Sequence, residues 1–250
     1  MFTLTHYIWI GICVITILIL FILNRKFKFS FNTNLTILFC MTIVSESIKI
    51  LSGMEPRVDP ITNEVIGTYL KAENLPFHLC SIQVFFIFFL KFIIKDEKKQ
   101  DFLLSFMVPT MLFGGLLAIL IPNSGTDFRI LQTYEYFGFH AFIIYFALYL
   151  LISKRVVLTG KIFIKNISFL LILMVFGIWI NSILADKGVN FFFLANPPMP
   201  DQHLPILNTD NGWGWYFVTL VSIGLIIMTL FHLPFIIINH KKLNSNKKAI

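Results

Sequence analysis

The stretch from Asn74 to Gln83 places an imidazole, a thiol and a side-chain amide close together, on His78, Cys80 and Gln83. A thiol becomes a nucleophile when a neighbouring imidazole takes its proton, because the thiolate is the reactive form. A free cysteine in an apolar helix is more commonly a small packing residue. The stretch is therefore either incidental packing or the start of a reactive site, and the surrounding elements must decide which.

An apolar run over 75–94 contains this stretch and predicts a helix that positions its side chains. Pro76 suits the first turn of such a helix, where the missing N–H would have no partner. At 1.5 Å per residue, Cys80 would lie roughly 6 to 8 Å below the helix start, within reach of water or a lipid headgroup. His78 and Cys80 are two positions apart and would not share a helix face, so they do not form a chelating pair.

The composition indicates an integral membrane protein. Hydrophobic residues make up 57% of the 250 residues, charged residues only 13%, and the mean hydropathy is +0.81. Apolar stretches of about 17 to 25 residues recur, the length that crosses a hydrocarbon layer of about 30 Å. We expect a multi-pass protein of the cell membrane with one transmembrane domain over residues 1–250, and with membrane lipids as its partners.

Seven apolar segments predict an all-α fold, a bundle of seven transmembrane helices. The helices are expected at about 7–23, 33–51, 75–94, 102–121, 135–152, 167–184 and 214–238. The loops and tail assigned to the inside hold 15 Lys and Arg residues, and the outer loops hold 4. Because positive charge is enriched on the inner side of a membrane, the N-terminus is predicted outside and the C-terminus inside. This distribution accounts for the net charge of +7 without nucleic acid as a partner.

Polar side chains gather at the helix ends that this topology places outside. They are Glu46, Lys49, His78, Cys80, Gln83, Glu135, His140 and Asn181. Ionisable residues within a span usually face the bundle interior or a water-filled cavity. Glu46 and Lys49 are three positions apart and can pair on one helix face, so the pair is either structural or part of a site.

Two kinds of site could be built from these groups. Cys13 and Cys40 lie among Ile, Leu and Phe, whereas Cys80 has polar neighbours and could be activated by His140 from another helix. A metal site of His6, His78, Cys80 and His140 lacks a recognised ligand spacing, so no metal or other cofactor is expected.

The connection between the last two helices, about 185–212, is long for an idle link. It holds Pro197, Pro198, Pro200 and Pro205 and shows no periodicity. We expect it to fold over the outer mouth as a partial lid, with Trp213 and Trp215 at the membrane interface. A disordered loop is the alternative.

Several sequence blocks resemble those of a known family. Leu-Pro-Phe-His-Leu-Cys-Ser-Ile at 75–82 resembles the Leu-Pro-(apolar)-His-Leu-Cys signature of the YwaF-like integral membrane proteins of bacteria. Weaker blocks follow the same order along the chain: Thr5-His6-Tyr7, Phe128-Arg129 with His140, Asn190 to Ala195, and Trp213 to Tyr216. The last two of these blocks depart from the family pattern. This chain has Asn-Pro-Pro at 196–198, directly after the first of the two, and Gly214 between the tryptophans of the second.

The resemblance implies seven helices and an activity. The YwaF-like family is similar to eukaryotic seven-helix acyltransferases that remodel ether phospholipids with a Cys and a His, and more distantly to lipid-ester hydrolases with a Thr and a His. By that resemblance, Cys80 is the acyl-accepting nucleophile and His140 is its base. Gln83 or Asn181 could then stabilise the oxyanion.

A second function class stays open on the sequence alone. A small-molecule carrier or lipid-binding protein would use Glu46 and Lys49 as a coupling or substrate-binding pair. Against a carrier, the polar residues lie at one end of the helices and not at the midplane, and no internal repeat is visible. The sequence does not indicate the oligomeric state, the lipid or the physiological process.

Overall fold

The computed structural model describes residues 2–122, 125–156, 158–197 and 206–248, with side chains up to Ile238. The chain is mostly helical. The helices are α1 (Leu4–Phe27), α2 (Phe31–Ser52), α3 (Gln83–Phe88), α4 (Glu97–Leu120), α5 (Leu131–Ile152), α6 (Gly160–Ile183) and α7 (Trp213–Lys248). All but α3 are long and apolar enough to cross a membrane, which gives six candidate spans among the described residues.

Side-chain caps mark where four of the helices begin. The hydroxyl or carboxylate of the residue before the helix accepts a hydrogen bond from a backbone N–H of its first turn, which that N–H would otherwise lack. These capping residues are Thr3, Ser30, Asp96 and Thr159.

The third predicted helix starts later than the sequence indicates. Leu75 is extended, with φ −63° and ψ 145°, because a residue followed by proline is disfavoured in the helical region. Tight turns occupy residues up to 82, and α3 begins only at Gln83. Its second half, Phe89–Ile93, is π-helical, so the whole apolar helix runs from Gln83 to Ile93. The prediction of a helix over 75–94 is therefore wrong for its first eight residues, and Pro76 does not occupy a helical first turn.

Helices α4 and α5 form the centre of the bundle. Most residues of both are buried, whereas the other long helices bury only one side. The pair packs closely because Gly115 has no side chain, and a Cβ there would lie 2.7 Å from Ile144 and 3.3 Å from the His140 carbonyl. The close packing of the two central helices at Gly115 therefore fixes the position of Ile144 and His140 relative to α4.

A buried polar cluster joins α4, α6 and α7 near the end that the charge distribution predicts to be inner. Asn166 donates to Ser105 Oγ over 3.2 Å and to His232 Nε2 over 3.2 Å. The His232 Nδ1–H in turn donates to the Met228 carbonyl at 2.8 Å. Asn166, Ser105 and His232 are all fully buried, so these bonds stabilise the packing of three helices.

A β-hairpin follows α2 directly and corrects the all-α prediction. Its strands, β1 (Met54–Val58) and β2 (Val65–Leu70), pair antiparallel at the opposite, predicted outer end of the bundle. At its base Lys71 Nζ lies 2.6 Å from Glu55 Oε1, and this hydrogen bond lowers the pKa of the Glu55 carboxyl. Hydropathy alone placed a loop here, because cross-strand pairing in so short a hairpin leaves little periodic signal.

The connection between α6 and α7 is structured over 189–197. Asn181 receives the Phe191 N–H at 2.8 Å and donates to the Phe191 carbonyl at 3.0 Å. Near the end of the segment, Trp213 Nε1 donates to the Leu194 carbonyl at 2.8 Å, and the Tyr216 hydroxyl donates to the carbonyls of Phe193 and Asn196. Residues 198–205, which hold three of the four prolines, lie outside the described residues.

Candidate functional site

The Cys80 thiol lies against α4 at a position without a side chain. A Cβ added to Gly114 would be 2.9 Å from Cys80 Sγ, closer than real contacts of this kind. The sulfur also packs against the buried apolar core, and the residue is half-buried. Glycine at 114 is therefore what lets the turn before α3 bring its thiol to the central helix.

His140 reaches the neighbouring part of the α4–α5 interface. Its Nδ1 lies 2.6 Å from the Tyr136 carbonyl oxygen, which can only accept, so Nδ1 carries the proton. In the neutral ring Nε2 is then an unprotonated acceptor, the form that a general base needs. The His140 backbone faces Gly115, the residue after the one that contacts Cys80. Among the described residues, no hydrogen bond joins the imidazole to the thiol.

The three cysteines differ in their surroundings. Cys13 is buried and donates to the Phe137 carbonyl over 3.6 Å, while Cys40 is exposed on α2. Cys80 makes no hydrogen bond within the described part of the chain and is neither fully buried nor open. It is thus intermediate in exposure between the other two cysteines, and it contacts the central helix α4 at Gly114.

His78 faces a different neighbour from Cys80. Its ring lies 5.3 Å from that of Phe191 and 5.6 Å from that of Phe193, both in the α6–α7 connection. The backbone at Phe192 and Phe193 has positive φ values of 55° and 56°, which is strained for bulky residues. The described part of the connection therefore packs against His78, while its role as a lid over the outer mouth stays a prediction.

Charged groups from α2 and α5 form a cluster beside His78. Lys49 Nζ lies 2.7 Å from Glu46 Oε1 on the same helix, and both side chains are mostly buried. Ser45 donates to Glu135 of α5, and the charge of Lys49 acts on both Glu135 and His78. The Glu46–Lys49 pairing predicted from their spacing is confirmed; its role in a site remains a prediction. Ser45 was not identified from the sequence, since a lone serine on a helix carries no signal.

Gln83 and Asn181 were considered from the sequence as oxyanion donors, and they differ in how many of their two side-chain N–H groups are already used. Gln83 Nε2 uses both, donating to the Leu79 carbonyl at 3.2 Å and to Thr110 Oγ1 at 3.0 Å. Its Oε1 is a fully buried acceptor without a described partner. Asn181 donates one N–H to the Phe191 carbonyl and accepts the Phe191 N–H. Donation to an oxyanion would therefore require Gln83, but not Asn181, to break a bond that it makes here.

The four side chains of the metal hypothesis are not brought together. His6 is buried, with Nε2 2.8 Å from the Ile119 carbonyl and Nδ1 3.3 Å from the Phe2 N–H, so both of its ring nitrogens hold α1 in place. Within the described ranges there is no group of three or more His, Cys, Asp or Glu side chains that could hold a metal ion.

Comparison with known proteins gives one match. Residues 1–232 match the model of the TMEM164 family, a family of transmembrane proteins. No curated protein and no solved structure matches the chain. The likeness to YwaF-like proteins and to lipid acyltransferases thus remains an expectation from sequence blocks. Because the match covers nearly the whole length, this membrane protein belongs to the TMEM164 family.

Proposed function

We propose that this membrane protein is a lipid acyltransferase or lipid hydrolase, with Cys80 as the nucleophile and His140 as the base, acting at the outer half of the bilayer. One observation supports this function most: Cys80 Sγ contacts Gly114 while the His140 backbone contacts Gly115. The Cys80 thiol and the His140 backbone thus lie against neighbouring residues of α4, from the turn before α3 and from α5.

The tautomer of His140 suits the first chemical step. Nδ1–H donates to Tyr136, so Nε2 takes the Cys80 proton as the sulfur attacks the carbonyl carbon of an acyl ester. A C–S bond forms and the ester C–O bond breaks. The imidazolium returns its proton to the departing alkoxide, which leaves as an alcohol.

The second step resolves the thioester. A hydroxyl group, from a lysolipid or from water, loses its proton to His140 Nε2 and attacks the thioester carbonyl. The new C–O bond forms, the C–S bond breaks, and the thiolate of Cys80 recovers the proton. A lysolipid gives acyl transfer and water gives hydrolysis, so the same two residues serve both reactions.

The geometry is compatible with this chemistry. The thiol and the imidazole are not hydrogen-bonded, and catalytic hydrogen bonds commonly tighten only when substrate is bound. Phe191 and Phe193 of the α6–α7 connection pack against His78, and the backbone at Phe192 and Phe193 is strained, so substrate binding and movement of this connection are expected to be linked.

The test uses the purified protein in lipid nanodiscs. A phospholipid with a labelled acyl chain is supplied with a lysophospholipid, and labelled product lipid and free fatty acid are both measured. Wild type and Cys13→Ala should release or transfer the label, and Cys80→Ala should not. If wild type leaves both lipids unchanged, the enzyme proposal fails and a carrier or lipid-binding function, without catalysis, takes its place.

A further inference from the structure

The β-hairpin after α2 has one largely exposed apolar face. In the observed register Met54 lies opposite Leu70 and Pro56 opposite Thr68. Side chains alternate along a strand, so Val58, which pairs with Val65, shares this face with Met54 and Pro56. Met54 is 46% exposed and Val58 is 47% exposed. Apolar side chains of this size would not remain uncovered in water on so small a sheet.

The other face of the hairpin is polar. Glu55 lies opposite Tyr69 and Arg57 opposite Gly67. The Tyr69 hydroxyl donates to Glu55 Oε2 at 3.1 Å, and Lys71 pairs with the same carboxylate. The two faces therefore differ in chemistry as the two sides of an interfacial element do.

The apolar character continues through the turn at the hairpin tip. Ile61 is 89% exposed there, and Val58 and Val65, which pair with each other next to a β-bulge, are exposed as well. Asp59 accepts the N–H groups of Ile61 and Thr62, which fixes the turn that presents Ile61. The tip thus has a defined shape with an isoleucine at its end.

The position of the hairpin places this face at the membrane surface. Only Gly53 separates β1 from α2, whose second half carries the exposed residues Ile43, Val44, Ile50 and Leu51. Side chains of a spanning helix that are exposed in this way face lipid. The apolar face of the hairpin begins at Met54, two residues after Ser52 at the end of α2, and therefore lies next to that lipid-facing surface.

We infer that the hairpin 54–70 is a membrane-surface anchor that lies on the bilayer with Met54, Val58 and Ile61 toward the acyl chains and Glu55, Arg57 and Lys71 toward water and headgroups. Its occupant is the phospholipid interface itself. This inference does not depend on the proposed enzymatic activity, nor on which side of the membrane the hairpin occupies, because it follows the end of a span in either orientation.

The test compares the two faces at the same height of the hairpin. Val58→Cys and Arg57→Cys are made singly in the full chain with Cys13, Cys40 and Cys80 replaced by Ala, and each is labelled with an environment-sensitive fluorophore. In phosphatidylcholine nanodiscs, a lipid with a nitroxide near the headgroup should quench the label at 58 at least threefold more than the label at 57. Aqueous iodide should show the opposite order.

Two results would overturn the inference. Equal quenching of both labels by iodide would show that the apolar face is in water. A label at 58 that is shielded from iodide but not quenched by the nitroxide lipid would show a protein neighbour, such as a second copy. Hydroxyl-radical footprinting of the wild type is a measurement without substitutions: Met54 should be protected in nanodiscs while Tyr69 stays reactive, and oxidation of both residues would contradict the anchor.

Discussion

Two buried histidines in this bundle are fixed in the same way but end in different environments. His140 Nδ1 lies 2.6 Å from the carbonyl of Tyr136, and His232 Nδ1 lies 2.8 Å from the carbonyl of Met228, in each case four residues earlier on the same helix. Both rings therefore present Nε2 as an acceptor. His232 Nε2 receives a hydrogen bond from Asn166, whereas His140 Nε2 has no such bond among the described residues.

The difference separates a packing role from a chemical one. Around His232 the side-chain polar atoms are paired with one another, which is what stabilises a bundle. The imidazole Nε2 of His140, the Cys80 thiol and Gln83 Oε1 instead make no hydrogen bond to the described residues. Of these, Gln83 Oε1 is fully buried, and a buried oxygen without a partner is rare in natural structures, so it marks a place where another molecule could bind.

Replacement of each histidine by alanine should give the largest difference in the rate of Cys80 labelling. We expect His140→Ala to slow labelling of Cys80 by a lipid-like electrophile by about 10²- to 10⁴-fold, because a base that activates a thiol contributes about that much. His232→Ala should leave the labelling rate within about threefold, while removal of a buried hydrogen-bonding group lowers the free energy of unfolding by roughly 1 to 3 kcal/mol.

The control for that pair is His78→Ala. His78 contacts the α6–α7 connection and not the Gly114 side of α4, so its loss should slow labelling less than the loss of His140. Labelling of Cys80 that is unchanged in His140→Ala, or equally slowed in His232→Ala, would remove the distinction between the two histidines.

Gly114→Ala tests whether the contact with α4 positions the Cys80 thiol for reaction. A Cβ at this position would be 2.9 Å from Cys80 Sγ, so the sulfur must turn away and labelling should fall by about tenfold, the effect of misplacing a reacting group. Gly11→Ala is the matched control, since a Cβ there meets nothing within 4 Å. The idea fails if both variants are labelled at the wild-type rate.

Replacement of the two buried amide side chains, Asn166 and Gln83, should lower the free energy of unfolding by different amounts. Asn166→Leu leaves both Ser105 and His232 without their partner and should lower the free energy of unfolding by roughly 2 to 3 kcal/mol. Gln83→Met also removes a carbonyl that is already unpaired, so its cost should be smaller, about 1 kcal/mol. Thermal unfolding in detergent measures both, and a larger loss for Gln83→Met would contradict the view that its oxygen is unpaired.

Tyr216→Phe should have the smallest effect. It removes the hydroxyl that donates to the Phe193 and Asn196 carbonyls, at a cost of about 1 kcal/mol, and it should raise Cys80 labelling a few-fold by loosening the α6–α7 connection. Tyr134→Phe is the control, because the Tyr134 hydroxyl makes no hydrogen bond to the described residues. Slower labelling in Tyr216→Phe would mean that the α6–α7 connection stabilises the site and does not limit access to Cys80.

The long helices could be predicted from the sequence because high hydropathy indicates a segment that lies in lipid. The six candidate spans fall where apolar runs predicted them. Hydropathy wrongly predicts a helix from Leu75 to Ile82, because a turn that is packed inside a bundle is as apolar as a helix. Pro76 carried the missing information, through the extended conformation that it favours at Leu75.

The sequence predicted only part of the candidate site. The topology placed Cys80, His140 and His78 at one end of the bundle, and the structure has Cys80 and the His140 backbone against neighbouring residues of α4. The tautomer of His140 and the contact of Cys80 with Gly114 could not be predicted, because both depend on which residues of different helices face each other. Gln83 shows the limit most clearly: its residue type suggested an N–H donor, and the packing leaves an oxygen free.

The central claim is that Cys80 carries an acyl group during turnover, and direct detection of that thioester is its sharpest test. Protein in nanodiscs is mixed with the labelled acyl donor lipid, quenched in acid, digested and analysed by mass spectrometry. The account predicts an acyl mass on Cys80, absent from Cys13 and Cys40, that is removed by hydroxylamine and does not form in His140→Ala. Turnover of the lipid without any acyl group on Cys80, or an acyl group confined to Cys40, would contradict it.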